Sequence, residues 1–180
     1  MKFTETSLKG AYIIEVDKLV DDRGFFGRLW CENEFKKNNL NTNIVQSNVS
    51  LSKTKGTLRG MHFQRNPFQE TKLVRCTRGS VYDVISDLRP DSLFFKKWFG
   101  VKLTEGNHKM IYVPENFAHG FLTLEDNSEV YYLVTQFYNK NAEAGLRWND
   151  PTFNIQWPNE VNEISQKDND HPKFDLKNIL

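Results

Sequence analysis

What most constrains this chain is its punctuation: short runs of β-favouring residues follow one another, broken by Gly, Pro, Asn and charged turns. Residues 11–16 and 43–51 are predicted strands. Residues 72–77 and 81–88 flank Arg78-Gly79-Ser80, a spacing that predicts a hairpin. Residues 110–113 stop at Pro114, and residues 129–137 form a long alternating strand ending near Asn139. Only residues 31–38 read as helix, and without a strong cap. Many short strands with little helix predict a sandwich, a jelly roll or a barrel. No repeat, low-complexity tract or linker divides residues 1–180, so a single domain is expected, with a polar surface tail after Trp157-Pro158.

Composition narrows the function classes. With 180 residues, 38% of them hydrophobic, the chain can bury a core. A net charge of +1 argues against nucleic acid, which calls for a strongly basic face. A small anionic ligand stays open, because a few placed Arg and Lys residues suffice for a diphosphate. Cys31 and Cys76 lack metal or redox spacing and read as buried small apolar residues in a reducing cytosol. The N-terminal residues carry no apolar leader and no segment approaches membrane-spanning length, so the expected location is the cytoplasm.

Chemistry concentrates first at Leu58-Arg59-Gly60-Met61-His62-Phe63-Gln64. A histidine in an apolar strand is more often a hydrogen-bonded core residue than a catalyst. Its company changes the balance: Arg59 beside it, Lys72 in the next strand, and His119 in Pro114-Glu115-Asn116-Phe117-Ala118-His119-Gly120. An apolar barrel interior seldom collects several titratable groups without a ligand to serve. A metal site would want an HxH pair, a nearby carboxylate and a later histidine. His62 and His119 have no such partners close in sequence, and Lys72 adds positive charge, so no metal and no cofactor are expected.

These segments, with Asp22-Arg23-Gly24-Phe25-Phe26, Gln46-Ser47-Asn48, Lys72-Leu73-Val74-Arg75-Cys76, Arg147-Trp148-Asn149-Asp150-Pro151 and Trp157-Pro158, resemble the dTDP-4-dehydrorhamnose 3,5-epimerase family. The motifs match in order over almost the whole chain. The resemblance implies an all-β, cupin-like jelly-roll barrel with a few short flanking helices, usually a homodimer. It implies a metal-free isomerase that inverts C3 and C5 of a nucleoside-diphosphate 4-keto-6-deoxy sugar.

Residue by residue, the resemblance makes His62 the catalytic base, Asp168 the carboxylate that orients it, and Tyr132 the general acid on the opposite face of the sugar. Lys72 matches the group at the ketone oxygen. Arg23, Gln46, Asn48, Arg59, His119, Glu143 and Lys167 match positions lining nucleotide, diphosphate and sugar. Glu143 equally reads as a solvated loop acid, and Gln46 as a strand surface residue. The residue types suit the chemistry. A proton beside a ketone leaves only if the enolate oxygen is stabilised, as an ammonium can do. A histidine titrates near neutrality, and a carboxylate fixes its tautomer.

Three positions test the match. Strand alternation puts Tyr132 on the face of Val130 and Val134, with Leu133 opposite. The same alternation separates Arg59 from His62, unless a bulge or twist near Gly60 reunites them. Arg28 stands where the family commonly has glutamate near the nucleobase. Arginine only donates hydrogen bonds, so either it points elsewhere or the base offers acceptors, as cytosine and guanine do. The alternatives are a 3-only or 5-only epimerase, a substrate with another base, a non-catalytic sugar-binding cupin, and a metal-dependent cupin oxygenase.

Overall fold

The computed structural model describes residues 1–178. Its strands are β1 (Lys2–Glu5), β2 (Tyr12–Glu15), β3 (Lys18–Asp21), β4 (Gly24–Gly27), β5 (Gln46–Ser52), β6 (Thr57–Gln64), β7 (Lys72–Arg78) and β8 (Ser80–Asp87). They continue with β9 (Trp98–Thr104), β10 (Met110–Val113), β11 (Phe117–Thr123), β12 (Ser128–Val134), β13 (Glu143–Gly145) and β14 (Glu163–Ile164). Two short α-helices, α1 (Glu32–Lys37) and α2 (Gln166–Asn169), and a single 3₁₀ turn (Leu176–Asn178) complete it.

The strands form two facing sheets, in the order β1-β2-β10-β7-β12-β5 and β13-β6-β11-β8-β9, with β14 added to β6 in parallel. The hairpin β3–β4 stands apart as a two-stranded ribbon. This is the cupin-like jelly roll that the family resemblance implied, one of the three architectures that the strand pattern left open. No described helix is long and apolar enough to cross a membrane.

Strand periodicity sorts the side chains into layers. Val74 and Cys76 of β7, Ile111 and Val113 of β10 and Val130 of β12 point between the sheets, meeting Val81, Ile85, Leu103, Phe117 and Phe121 from the other side. Leu73, Met110 and Tyr112 face outward and are covered by Phe35 and Leu40 from the α1 region. Met61, Phe63 and Val84 face outward from the second sheet, under Phe153, Trp157 and Phe174. Each such aliphatic or aromatic side chain contributes about 1.5–3 kcal/mol on burial.

Several expectations shift. Arg78-Gly79-Ser80 makes no hairpin, because β7 and β8 lie in different sheets. Gly79, at φ +70, turns the chain from one sheet to the other, and its Cα lies so close to Ser128 that a Cβ would meet the Ser128 Oγ at 2.7 Å. The early strand begins at Tyr12 and β5 begins only at Gln46, after an Asn41 side chain accepts the Asn43 N–H. The long strand ends at Val134; beyond it, Gln46 and Gln64 side chains accept the N–H groups of Tyr138 and Asn139, replacing a strand partner. Helix α1 lacks a side-chain cap, as expected. Both cysteines are free, but Cys31 is only half-buried. Cys76 is buried, which raises its thiol to about 11.

Candidate active site

The Gly60 bulge forms. Between the pairs His119↔His62 and Phe121↔Arg59, β11 advances two residues while β6 advances three. Gly60 carries the extra residue at φ +124, with its Cα pressed against Gly120 and the His119 carbonyl. That extra residue turns Arg59 and His62 to the same side of β6, and both line a cavity of about 230 Å³.

The polar tail folds back to reach them. β14 pairs with Thr57 and Leu58, and Ser165 caps α2 by accepting the Asp168 N–H. Asp168, buried, then accepts from Gly60 N–H at 3.0 Å through Oδ2 and contacts His62 Nε2 at 2.9 Å through Oδ1. Burial by itself would raise this carboxyl; the His62 hydrogen bond and charge, with the Gly60 N–H, bring it down to about 2. An ionised Asp168 holds the proton on His62 Nε2, leaving Nδ1 as the basic nitrogen.

The opposite wall of the cavity comes from the other sheet. Tyr132 projects inward between Val130 and Val134, with Leu133 packed on the outer face, as alternation required. Burial, and then Glu70, raise its hydroxyl pKa, while Arg59 opposes. Tyr132 therefore stays protonated and able to donate at neutral pH. Lys72 lies 3.1 Å from Glu70, and both are largely buried. Arg59 donates to Ser52 Oγ and the Leu51 carbonyl. His119 Nε2 contacts both oxygens of Asp83, at 3.0 and 2.9 Å, deep between the sheets. Glu143 bridges Lys167 and the Tyr138 hydroxyl at the rim. Burial would raise the Glu143 carboxyl, yet these two partners lower it. Gln46 and Asn48 line an adjoining cavity of about 480 Å³ that shares His62, Lys72, Tyr132 and Glu143.

Arg23 and Arg28 are not brought to this site within the chain. Arg23 sits at the exposed tip of β3–β4 on Asp21, at 2.6 Å. Arg28 lines a separate cavity with Met1, Asp17 and Glu34, 3.8 Å from the Glu34 carboxylate. Glu70, Asp83 and His171 are partners that the sequence reading missed. His171 was signalled by Asp168-x-x-His171, one turn of helix apart. Asp83 was signalled by an acid placed between the inward-facing Val81 and Ile85 of its strand.

Residues 5–175 match a family profile described as dTDP-4-dehydrorhamnose 3,5-epimerase. The chain belongs to that family. A relative of that name from Methanothermobacter thermautotrophicus is 44% identical, over 93% of this chain and 91% of its own length. One from Sinorhizobium fredii is 40% identical, over 97% of this chain and 90% of its own. The crystal structure of dTDP-4-dehydrorhamnose 3,5-epimerase from Elizabethkingia anophelis superimposes with a TM-score of 0.95 at 40% identity, covering 99% of this chain and 98% of that one. By family the chain is an isomerase.

Proposed function

We propose that this protein epimerises dTDP-4-dehydro-6-deoxy-D-glucose at C3 and C5, giving dTDP-4-dehydro-L-rhamnose, by moving protons on carbons beside the ketone. The observation that carries the reading is a base and an acid on opposite walls of one cavity: His62 from β6 of one sheet, Tyr132 from β12 of the other. Inversion needs that arrangement, since the proton must leave one face of the carbon and return to the other. His62 Nδ1 takes the proton while Asp168 stabilises the imidazolium. The Lys72 ammonium stabilises charge on the enolate oxygen. Tyr132 returns a proton from the far side.

Arg59, His119, Gln46, Asn48, Glu143 and Lys167 are assigned to the rest of the substrate. A relative from Legionella pneumophila, 34% identical with a TM-score of 0.87 over 93% of this chain and 89% of that one, was solved in complex with dTDP-4-keto-L-rhamnose, which supports this ligand class. The assignment of Arg28 to the nucleobase draws no support from its pairing with Glu34. We assign the working form to a homodimer. The β3–β4 ribbon exposes Leu19, Val20, Phe25 and Phe26, and edge strand β5 exposes Val49 and Leu51; a second copy would cover this apolar surface. In such a dimer Arg23, at the ribbon tip, serves the neighbouring copy's pocket. The two free cysteines agree with a reducing cytoplasm.

The test is substitution of the base. His62→Ala should lower incorporation of solvent deuterium into the substrate by about 10²–10⁴-fold while nucleotide binding stays near normal. Exchange at the wild-type rate would remove His62 from the mechanism.

A further inference from the structure

One atom in the site has no partner. His171 is buried, and among the described residues its Nε2 makes no hydrogen bond. It lies 3.7 Å from Asp168 Oδ1, the same oxygen that contacts His62 Nε2 at 2.9 Å. The two imidazoles meet edge to face, with ring centroids 5.7 Å apart. Ligand atoms of His62, Asp168 and His171 all fall within 4.8 Å of one another.

We infer that His62, Asp168 and His171 form a Zn²⁺ site whose occupation silences the enzyme. Tetrahedral zinc, with bonds of about 2.0–2.2 Å to imidazole nitrogen and carboxylate oxygen, wants its ligand atoms about 3.3 Å apart. The two separations to Asp168 Oδ1, 2.9 and 3.7 Å, straddle that spacing, and the two histidine nitrogens lie within 4.8 Å of each other, so a small turn of one ring closes the set. The ligands are held in advance. Asp168 Oδ2 is fixed by Gly60 N–H, so Oδ1 is the oxygen facing both rings. The His171 ring lies flat on Gly145, where any side chain would overlap it. Of the nearby cations, Lys72 and Lys167 are paired with Glu70 and Glu143; among the described residues Arg59 has no acid partner, and its charge weakens the site.

Silencing follows from the proton count on one ring. A neutral imidazole carries a single N–H. Zinc on Nε2 takes that nitrogen's lone pair, and the proton resides on Nδ1. The nitrogen assigned to the sugar proton then has no lone pair to receive it. The zinc site stands on geometry alone; only the silencing rests on His62 being the base.

Chelator-treated full-length protein would be titrated with ZnCl₂ against a chromophoric chelator, with solvent deuterium exchange followed in parallel. The wild type should bind one zinc per chain and stop exchanging. His171→Ala and His171→Gln should each weaken zinc by at least about tenfold and, at the same zinc concentration, retain their own zinc-free exchange rates. Co²⁺ in place of zinc should give the intense visible bands of a tetrahedral ion in the wild type only. Equal zinc affinity in the wild type and both variants, or none in the wild type, overturns the site and leaves the catalytic reading intact. Zinc held through His171 with undiminished exchange overturns the silencing and, with it, His62 as the base.

Discussion

Replacing Asp168 with asparagine isolates one carboxylate in an otherwise unchanged outline. Both of its oxygens receive donors, Gly60 N–H on Oδ2 and His62 Nε2 on Oδ1. Asparagine offers a single acceptor, so it satisfies one and turns its amide N–H₂ on the other. If the amide faces His62, it donates to Nε2 and moves the ring proton to Nδ1, disabling the base. If it faces Gly60, two donors are opposed in a buried place. The loss of charge alone can be sized. Asp168 drops from an ordinary 3.8 to about 2, a net effect in which burial is outweighed by the His62 hydrogen bond and charge, with help from Gly60 N–H and His171; the shift corresponds to about 2.4 kcal/mol, or about sixtyfold in rate, if it is withdrawn from the imidazolium-like transition state. The wrong tautomer takes the loss towards 10²–10⁴, as for other displaced general bases. The assay is deuterium uptake from solvent into the 4-keto sugar, read by mass spectrometry under single-turnover conditions. Because the folded carboxyl lies below its unfolded value, its stabilisation is complete above about pH 4 and is lost as pH falls towards 2. The variant's stability deficit should therefore shrink across that window. An Asp168→Asn enzyme exchanging within about threefold of the wild type would refute the dyad.

Two more substitutions probe the opposite wall and the bulge. Tyr132→Phe should keep measurable proton exchange but lose inverted product, separable by NMR of the reaction mixture; native yields of epimer would reduce Tyr132 to a wall of the pocket. Gly60→Ala should lower the melting temperature by several degrees, because φ is +124 and a Cβ would sit 2.6 Å from the Gly120 Cα and 2.8 Å from the His119 carbonyl oxygen; an unchanged thermal transition would show that β6 can shed its bulge.

Local chemistry was legible in the chain and partner choice was not. Alternation placed Tyr132 inward and Leu133 outward, because period two survives whatever the strand pairs with. The need for a bulge at Gly60 followed only from the family resemblance, which places Arg59 and His62 in one site against strand alternation. Turn chemistry at Gly79 announced a sharp change of direction, yet nothing near it states which sheet receives the next strand. That is decided by Thr104, Thr123 and their neighbours pairing from far along the chain. Arg23 shows the same limit: a β-ribbon reads alike whether it folds onto its own sheet or projects from it. The tail beyond Trp157 looked like solvent-facing coil because its polar residues serve one another and the site. Only the family motif gave Asp168 a destination.

The 106-residue separation of His62 and Asp168 also sets an order of events during synthesis. Both sheets' main strands, β1 to β13, are complete before β14 and α2 are translated. Until those last elements are made, His62 lacks its carboxylate partner and Gly60 N–H lacks its acceptor. A molecule clipped ahead of β14 would lack both the carboxylate that contacts His62 and the Phe174 ring that covers Met61 and Phe63.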